Sequence, residues 1–490
     1  MFLGIDLGTS ALKILLVDEQ QREVEHVSVA LETQRSRPLW SEQDPHTWWA
    51  ATESAITQLH QRRPRELGEV RGIGLTGQMH GAVLLGNRDR VLRPAMLWND
   101  GRSAAQCAEL ETRVPASREI TGNLAMPGFT APKLLWVAEH EPAVFKRVRK
   151  VLLPKDYLRL RLSGEDVSDM SDAAGTLWLD VRRRAWSPTM LAATGLPDSA
   201  VPRLVEGSEV SATLLPSLAT RWGMRTDIVI AGGAGDNAAG AVGVGVIAPG
   251  RAFLSLGTSG VYFVAADTCA PDPDRAVHTF CHCLPRTWHY MSVILSAANC
   301  LSWMTTLLQA PNEAALLAGA ETAAFTPDLI FLPYLSGERT PHNDPHAKGV
   351  FFGLSHATTR AALARAVLEG VAFAFADAQQ ALAAAGTVIG DVSVIGGGAR
   401  STFWGRILAS VLDRPLLYHH GGEVGPAFGA TRLARLAVTG EDPQAVCTPP
   451  STTHIVEPDP SLRDRYAEQI GAYRRLYHDL RPLFAARSAT

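Results

Sequence analysis

Two four-residue stretches of the chain are identical and carry the residue types that cradle phosphate. Leu7-Gly8-Thr9-Ser10 follows an apolar run at 1–5, and Leu256-Gly257-Thr258-Ser259 follows another at 252–254. The second lies 249 positions after the first, close to half of the 490 residues. Each Gly-Thr-Ser is flanked by further apolar residues, Leu12 to Val17 and Val261 to Val264. That pattern predicts strand, tight turn, strand, with backbone N–H groups and hydroxyls at the tip. Asp6 precedes the first turn, and the equivalent position in the second is Ser255. A carboxylate beside a phosphate is repulsive unless a cation lies between them, which predicts Mg²⁺ linked to Asp6, through water. A plain turn or capping role for Asp6 is the alternative. Lys13 closes the first copy and could reach a phosphate as a point charge.

Two glycine-rich loops add to this inventory. In IAGGAGDNAAG (230–240) an apolar strand enters Gly232-Gly233-Ala234-Gly235 and then Asp236-Asn237. Asp236 could accept a proton from a sugar hydroxyl as that oxygen attacks a γ-phosphoryl group, with Asn237 bonded to a neighbouring hydroxyl. Helix capping by Asp236 is the competing reading. In VIGGGARSTFW (394–404), Gly396-Gly397-Gly398-Ala399 stand between a strand and a helix. A dinucleotide fingerprint would need glycine where Ser401 stands and an acid near Leu416-Leu417, so glycines flush against adenine or ribose suit the loop better. Gln78, His80, Asn99, Asp100 and Arg102 supply the donors and acceptors a polyol demands, with Met79 and Trp98 as apolar walls. Each taken singly is equally an ordinary loop residue.

The elements that must position these groups follow from composition and pattern. With 46% hydrophobic and 19% charged residues and a net charge of −3, the chain is globular, and its length bounds it to two to four domains. The slight negative charge argues against broad nucleic-acid binding. Asp6 interrupts any signal-like N-terminal stretch, and no apolar run approaches the ~18 residues of a membrane span, so a cytoplasmic protein without membrane contact is expected. Six irregularly spaced cysteines fit reduced thiols. Cys281-His282-Cys283, near His278 and His289, lacks a second ligand pair and reads as packing rather than zinc. Strands are predicted at 70–77, 227–233, 329–335 and 391–398, and a long Ala-rich helix over 360–386 closed by Gly386. The alternation predicts an α/β architecture. The repeat places a division within 243–252, at the Pro249-Gly250 turn, giving halves 1–246 and 247–490. Tyr466, Ile470, Tyr473, Tyr477 and Leu480 predict a C-terminal helix stopped by Pro482 and docked on its own half, with a homodimer contact as the alternative.

Together these residues resemble the FGGY family of carbohydrate kinases. The resemblance rests on GIDLGTS, PLWSEQDPHTWW (38–49), GQMHG, LWNDGR, ITGNLAMPGFTAPKLLWV (120–137), LLPKDYLRL (152–160), SDMSDAAGTLWLDV (168–181), GDNAAGAVGVG, LSLGTSGVY, FLPYLSGERTPHND, GVFFGL (349–354) and GGGAR. It covers nearly the whole chain and is weakly diagnostic only after about 440. It implies a duplicated RNase H-like, actin/hexokinase/Hsp70 ATPase-like fold of two domains with ATP and sugar in the cleft between them. It implies Asp236 as catalytic base, Asp6 as a metal-associated acid, Met79-His80 as the sugar-binding pair, and Gly257-Thr258 and Gly397-Gly398 as nucleotide contacts. Ser259 and the first turn, Thr9, Ser10 and Lys13, join the nucleotide set with Gly396 and Ala399. Asp156 and Arg102 sit in family motifs, and Arg102 is counted with Trp98 and Asn237 toward the sugar. The implied reaction is ATP-dependent phosphorylation of D-xylulose to D-xylulose 5-phosphate in xylose catabolism. The alternatives are a sister kinase for ribulose, gluconate or glycerol, or a non-catalytic actin-like sugar sensor. One departure is that the glycine run before Asp236 is a residue longer than the family pattern, with Ala234 as the extra position.

Overall fold

Both predicted hairpins form, and each is the centre of a seven-stranded sheet. The computed structural model describes residues 1–419 and 425–486. In the first sheet β1 (Phe2–Leu7) pairs antiparallel with β2 (Ala11–Val17), which pairs with β3 (Glu23–Ala30). On its other side β1 runs parallel to β4 (Gly72–Gly77). Beyond β4 come β5 (Val210–Thr213) and β6 (Val229–Ala231), in the order β5-β6-β4-β1-β2-β3, and the short β7 (Ala234–Gly235) extends the pairing of β4.

The second sheet repeats that order. Its hairpin is β8 (Ala252–Leu256) and β9 (Gly260–Ala266), followed by β10 (His278–Cys281) and β11 (Trp288–Ile294). Parallel to β8 runs β12 (Val392–Ile395), then β13 (Leu416–His419), then antiparallel β14 (Thr452–Val456). From the outer antiparallel strand inward, β14-β13-β12-β8-β9-β11 matches β5-β6-β4-β1-β2-β3 in order and sense. The fold is the duplicated α/β architecture that the repeat suggested. The stretch predicted as a strand at 329–335 is one at Ile330–Leu332, but it pairs only with Val350–Phe352, outside both main sheets.

Helices cross between the halves. Helix α1 (Pro154–Ser163) lies in the first half, and α2 (Asp236–Gly243) leaves its sheet after β7. Helix α3 (Arg360–Ala384) ends just before Gly386, whose φ of +80° is the left-handed conformation that stops it. Helix α4 (Thr402–Leu412) follows β12, and α5 (Gly425–Thr439) packs not on its own sheet but on the first. A Cβ on Gly4 would stand 2.1 Å from the Ala427 carbonyl oxygen, and one on Gly74 1.9 Å from that of Ala430. The α2–α5 crossing is as tight, since a Cβ on Gly429 would meet the Ala239 carbonyl oxygen at 1.8 Å. Only glycine lets backbone approach backbone this closely.

The C-terminal helix α6 (Pro460–Ala486) buries Tyr466, Tyr473 and Tyr477 in the core of the second half, and the Tyr473 hydroxyl lies 2.7 Å from that of Tyr334. Pro482 does not stop it, contrary to the sequence expectation: it lies inside the helix. A proline there removes the N–H that would bond the carbonyl of His478, a residue exposed to solvent. Positions 487–490 of the expected second half lie outside the described residues. Among the described residues no helix is long and apolar enough to cross a membrane.

The glycine contacts can be tested by overpacking. Gly74→Ala is expected to destabilise the protein by roughly 1–3 kcal/mol or more, read as a lower denaturant midpoint. Gly240→Ala, on α2 with no atom within 4 Å of its new methyl, should be neutral or slightly stabilising.

Candidate active site

Two cavities meet at the tip of the second hairpin. The smaller, about 240 Å³, is lined on one side by Met79, His80, Trp98, Asp236 and Asn237, and on the other by Ser255, Gly257, Thr258, Ser259 and Arg339. The larger, about 970 Å³, shares Gly257 and Thr258 and adds Gly397, Gly398, Arg400 and Phe403. The β8–β9 tip is therefore the partition between a small polar chamber and a larger one. Gly396 lines a third space with Asp236 and Asn237.

The loop before Asp236 is held from beneath. Ala234 and Gly235 pair with Thr76 and Gly77, so the sheet continues up to Asp236. Buried Arg159 of α1 donates to the carbonyl oxygens of Ala231, at 2.6 Å, and Gly232, and to Ser211. The Gly235 N–H donates to Ser171 Oγ at 3.1 Å. Asp156 belongs to this foundation: the Lys155 ammonium lies 2.6, 2.8 and 3.3 Å from Asp156, Asp169 and Asp172, all fully buried. Gly235 is the N-cap of α2, and Asp236 in its first turn accepts from the Asn237 N–H at 2.7 Å and from Asn237 Nδ2 at 2.9 Å.

Burial governs the charges here. It pushes the Asp236 carboxyl up to about 6, against the hydrogen bonds from Asn237. It pushes Asp6 to about 7, helped by the negative charge of Asp236 and opposed by Lys13, which sits opposite Asp6 on β2. Asp6 Oδ1 is buried and has no hydrogen-bond partner among the described residues. His80 Nδ1 lies 2.7 Å from the Gly175 carbonyl, which can only accept, so the proton is on Nδ1 and Nε2 is a bare acceptor. Burial takes its pKa down to about 3, keeping the ring neutral.

Other expected site residues stand elsewhere. The Thr9 hydroxyl donates to Gln78 Oε1 at 2.9 Å and accepts from Trp98 Nε1 at 3.0 Å. Gln43 closes that network, accepting from Gln78 Nε2 at 3.0 Å and donating to the Thr9 carbonyl at 2.7 Å. Ser10 and Lys13 are exposed, Ala399 packs on the second core, and neither these three nor Thr9 line the three cavities. Arg102 is not brought to the chamber either. Its guanidinium pairs with Asp100 at 2.6 Å and Glu42 at 2.9 Å and lies 3.5 Å over the Trp40 ring. Cys281, His282, Cys283 and His289 are buried, with His289 stacked 4.3 Å from Phe263. The chamber also holds residues that sequence reasoning did not single out: Phe129, Met291, Val293 and Arg339. Arg339 lies in the FLPYLSGERTPHND stretch, where a Glu-Arg pair in a loop was the available signal.

This geometry places a carboxylate, an amide and a bare imidazole nitrogen around a space sized for a few carbons, next to a glycine-walled cavity. It can take a proton from a hydroxyl and hold the resulting oxygen against a group arriving from the larger side. Comparison with known proteins finds similarity along almost the whole chain. The N-terminal domain of the FGGY family of carbohydrate kinases matches residues 1–243, and the C-terminal domain of that family residues 252–438. The chain is 53% identical to the xylulose kinase of Escherichia coli (strain K12) over 99% of its own length and 100% of the relative's. The crystal structure of a xyloylose kinase from Brucella ovis superposes with a TM-score of 0.95 at 52% identity, covering 98% of this chain and 99% of that one. That of a gluconate kinase from Lactobacillus acidophilus gives 0.92 at 26% identity, covering 98% and 97%.

The Asp6 environment has a measurable signature. The folded protein holds the Asp6 proton more tightly than the unfolded chain, so this group withdraws stability as pH rises from about 4 through about 7. Asp6→Asn is expected to stabilise the fold by ~1–4 kcal/mol at pH 8, with the gain shrinking toward pH 4, as read from chemical denaturation. A loss of stability at pH 8 would show that the carboxylate is paired.

Proposed function

The chain belongs to the FGGY family of carbohydrate kinases, and we propose that it transfers the γ-phosphoryl group of ATP to D-xylulose, giving D-xylulose 5-phosphate. One observation carries the reading: Asp236 and the Met79-His80 pair line a small chamber whose opposite wall, Gly257-Thr258, is also the wall of the larger glycine-lined cavity. The identity of the sugar is supported by the full-length similarity to xylulose kinases.

In this reading the nucleotide lies in the larger cavity, with Gly397 and Gly398 against its flat parts and its phosphates directed at the hairpin tip. The sugar lies in the chamber between Met79 and Trp98. His80 Nε2 accepts from one sugar hydroxyl and Asn237 holds another. Asp236, largely ionised at neutral pH, takes the proton of the C5 hydroxyl as its oxygen bonds to phosphorus. The bond from phosphorus to the bridging oxygen breaks and ADP leaves. The unpartnered Asp6 oxygen suits a hydrated Mg²⁺, which would offset the negative charge shared by the phosphates and the two carboxylates. Lys13, opposite Asp6, adds positive charge at the same edge. Enclosure between the halves keeps water from competing for the phosphoryl group.

Asp236→Asn is expected to lower kcat by about 10²–10⁴-fold while leaving sugar affinity within several-fold. Normal turnover would overturn the base assignment. For the wild type, kcat/KM should fall about tenfold per pH unit below about 6, where Asp236 is protonated. Coupled ADP detection with D-xylulose, ribulose, gluconate and glycerol decides the substrate. Preference for another of these overturns xylulose, and sugar binding with no ADP release from any of them identifies a sensor.

A further inference from the structure

One charged side chain in the chamber has no part in the chemistry above. Arg339 lies in the loop that follows Leu332, and its two neighbours pin that loop to β11. Glu338 Oε1 accepts from the Leu295 N–H at 2.9 Å and from the Arg339 N–H at 2.7 Å. The Thr340 N–H donates to the Val293 carbonyl at 3.0 Å, and its hydroxyl accepts from the Val293 N–H at 3.1 Å and donates to the Ala276 carbonyl at 2.9 Å. With both flanks fixed to one strand, the side chain between them projects into the space shared with His80, Asp236 and Asn237.

Its surroundings leave the guanidinium underused. Among the described residues it makes one side-chain hydrogen bond, from Nη1 to His278 Nε2 at 3.4 Å. The His278 ring is oriented for this by Nδ1, which donates to Asn123 Oδ1 at 2.9 Å. Among the described residues no carboxylate lies within ion-pair distance of it. The nearest opposite charge is Glu338, and burial pushes that carboxyl up to about 8, so it is largely neutral near pH 7. Arg339 is thus a half-buried cation on the chamber wall, with most of its five N–H donors unspent. Donors left unspent in such a place favour a ligand that accepts from them.

The ligand's chemistry follows from the donors and acceptors around it. His80 Nε2 can only accept, and Asn237 does both. A guanidinium only donates. Every oxygen of a polyol both donates and accepts, whereas an open-chain ketose has a single oxygen that only accepts, its carbonyl. We propose that Arg339 is a specificity-determining residue that donates to the carbonyl oxygen of the ketose, from the half of the chain opposite the one holding Asp236. The inference rests on the ketose kinase reading and extends it: the second half selects the oxidation state of the sugar that the first half deprotonates.

The test compares wild type, Arg339→Met and Arg339→Lys. D-xylulose is set against xylitol, the pentitol obtained by reducing that carbonyl. Dissociation constants for both are read from the fluorescence of Trp98 and the other tryptophans, alongside kcat and the KM values for xylulose and ATP. Arg339→Met should weaken xylulose binding about tenfold or more while xylitol affinity and the KM for ATP stay within about threefold, with Arg339→Lys between. Equal weakening of xylulose and xylitol would overturn the proposal. So would an unchanged xylulose affinity with a reduced kcat, which would assign the guanidinium to the phosphoryl group in transit. If the methionine variant does not fold, the lysine variant carries the same comparison. If the wild type binds xylulose but releases no ADP, the kinase reading falls, and the ratio of the two dissociation constants still decides the Arg339 contact.

Discussion

Contact of backbone with backbone sets the geometry of this molecule. Helix α5, built from the second half, lies on the first sheet so closely that Gly4 and Gly74 have no room for a methyl group, and α2 meets α5 through Gly429 in the same way. Close-packed surfaces of this kind have one spacing and do not slide continuously. The two sheets, each with its central hairpin, are thereby held so that the tip of the second hairpin faces the loop that opens α2 across the chamber. Because β4 and β12 occupy equivalent places beside those hairpins, the turns that follow them, at Gln78-Met79-His80 and at Gly396–Gly398, also reach the cavities. The duplication supplies two walls, and the crossed helices make them face each other.

The walls are chemically unlike. On the first side stand two buried carboxylates: the charge of Asp236 adds to the cost of ionising Asp6, which Lys13 offsets, and hydrogen bonds from Asn237 offset the burial of Asp236. On the second side stand glycines, hydroxyls and a guanidinium. Negative charge gathered on one wall and donors on the other leave a gap that suits an anion accompanied by a cation. Between the two equivalent hairpins, Asp6 against Ser255 is the plainest difference.

Much of this was legible because the informative features are local. A Gly-Thr-Ser turn between apolar runs specifies a hairpin whatever surrounds it, and both hairpins formed where the repeat placed them. An acid after a glycine run at a helix start marked Asp236, and the chamber contains it with Met79, His80, Trp98 and Asn237. The misplaced expectations share a different cause, which is that a side chain's partner is chosen by tertiary structure. Arg102 reads as a free donor until Glu42, sixty positions earlier, is seen beside it. Thr9 reads as a phosphate ligand until Gln78 and Trp98 are seen to occupy its hydroxyl. Arg339 gave the reverse error: a charged loop residue of no evident use reaches the chamber wall because its neighbours are bonded at β11. Pro482 reads as a stop because its missing N–H is a local fact, while the exposure that makes the loss tolerable is not.

The path of α5 also bears on how the protein is made. Phe2, Leu15 and Val17 of the first strands share an apolar cluster with Ala427, Phe428 and Ala434. A chain emerging from the ribosome exposes these strands more than four hundred residues before the helix that covers them is translated. The hairpin must therefore wait through that interval with apolar surface in water. The first half is complete as a stretch of sequence long before it is complete as a folding unit, and the segment that finishes it is carried by the second.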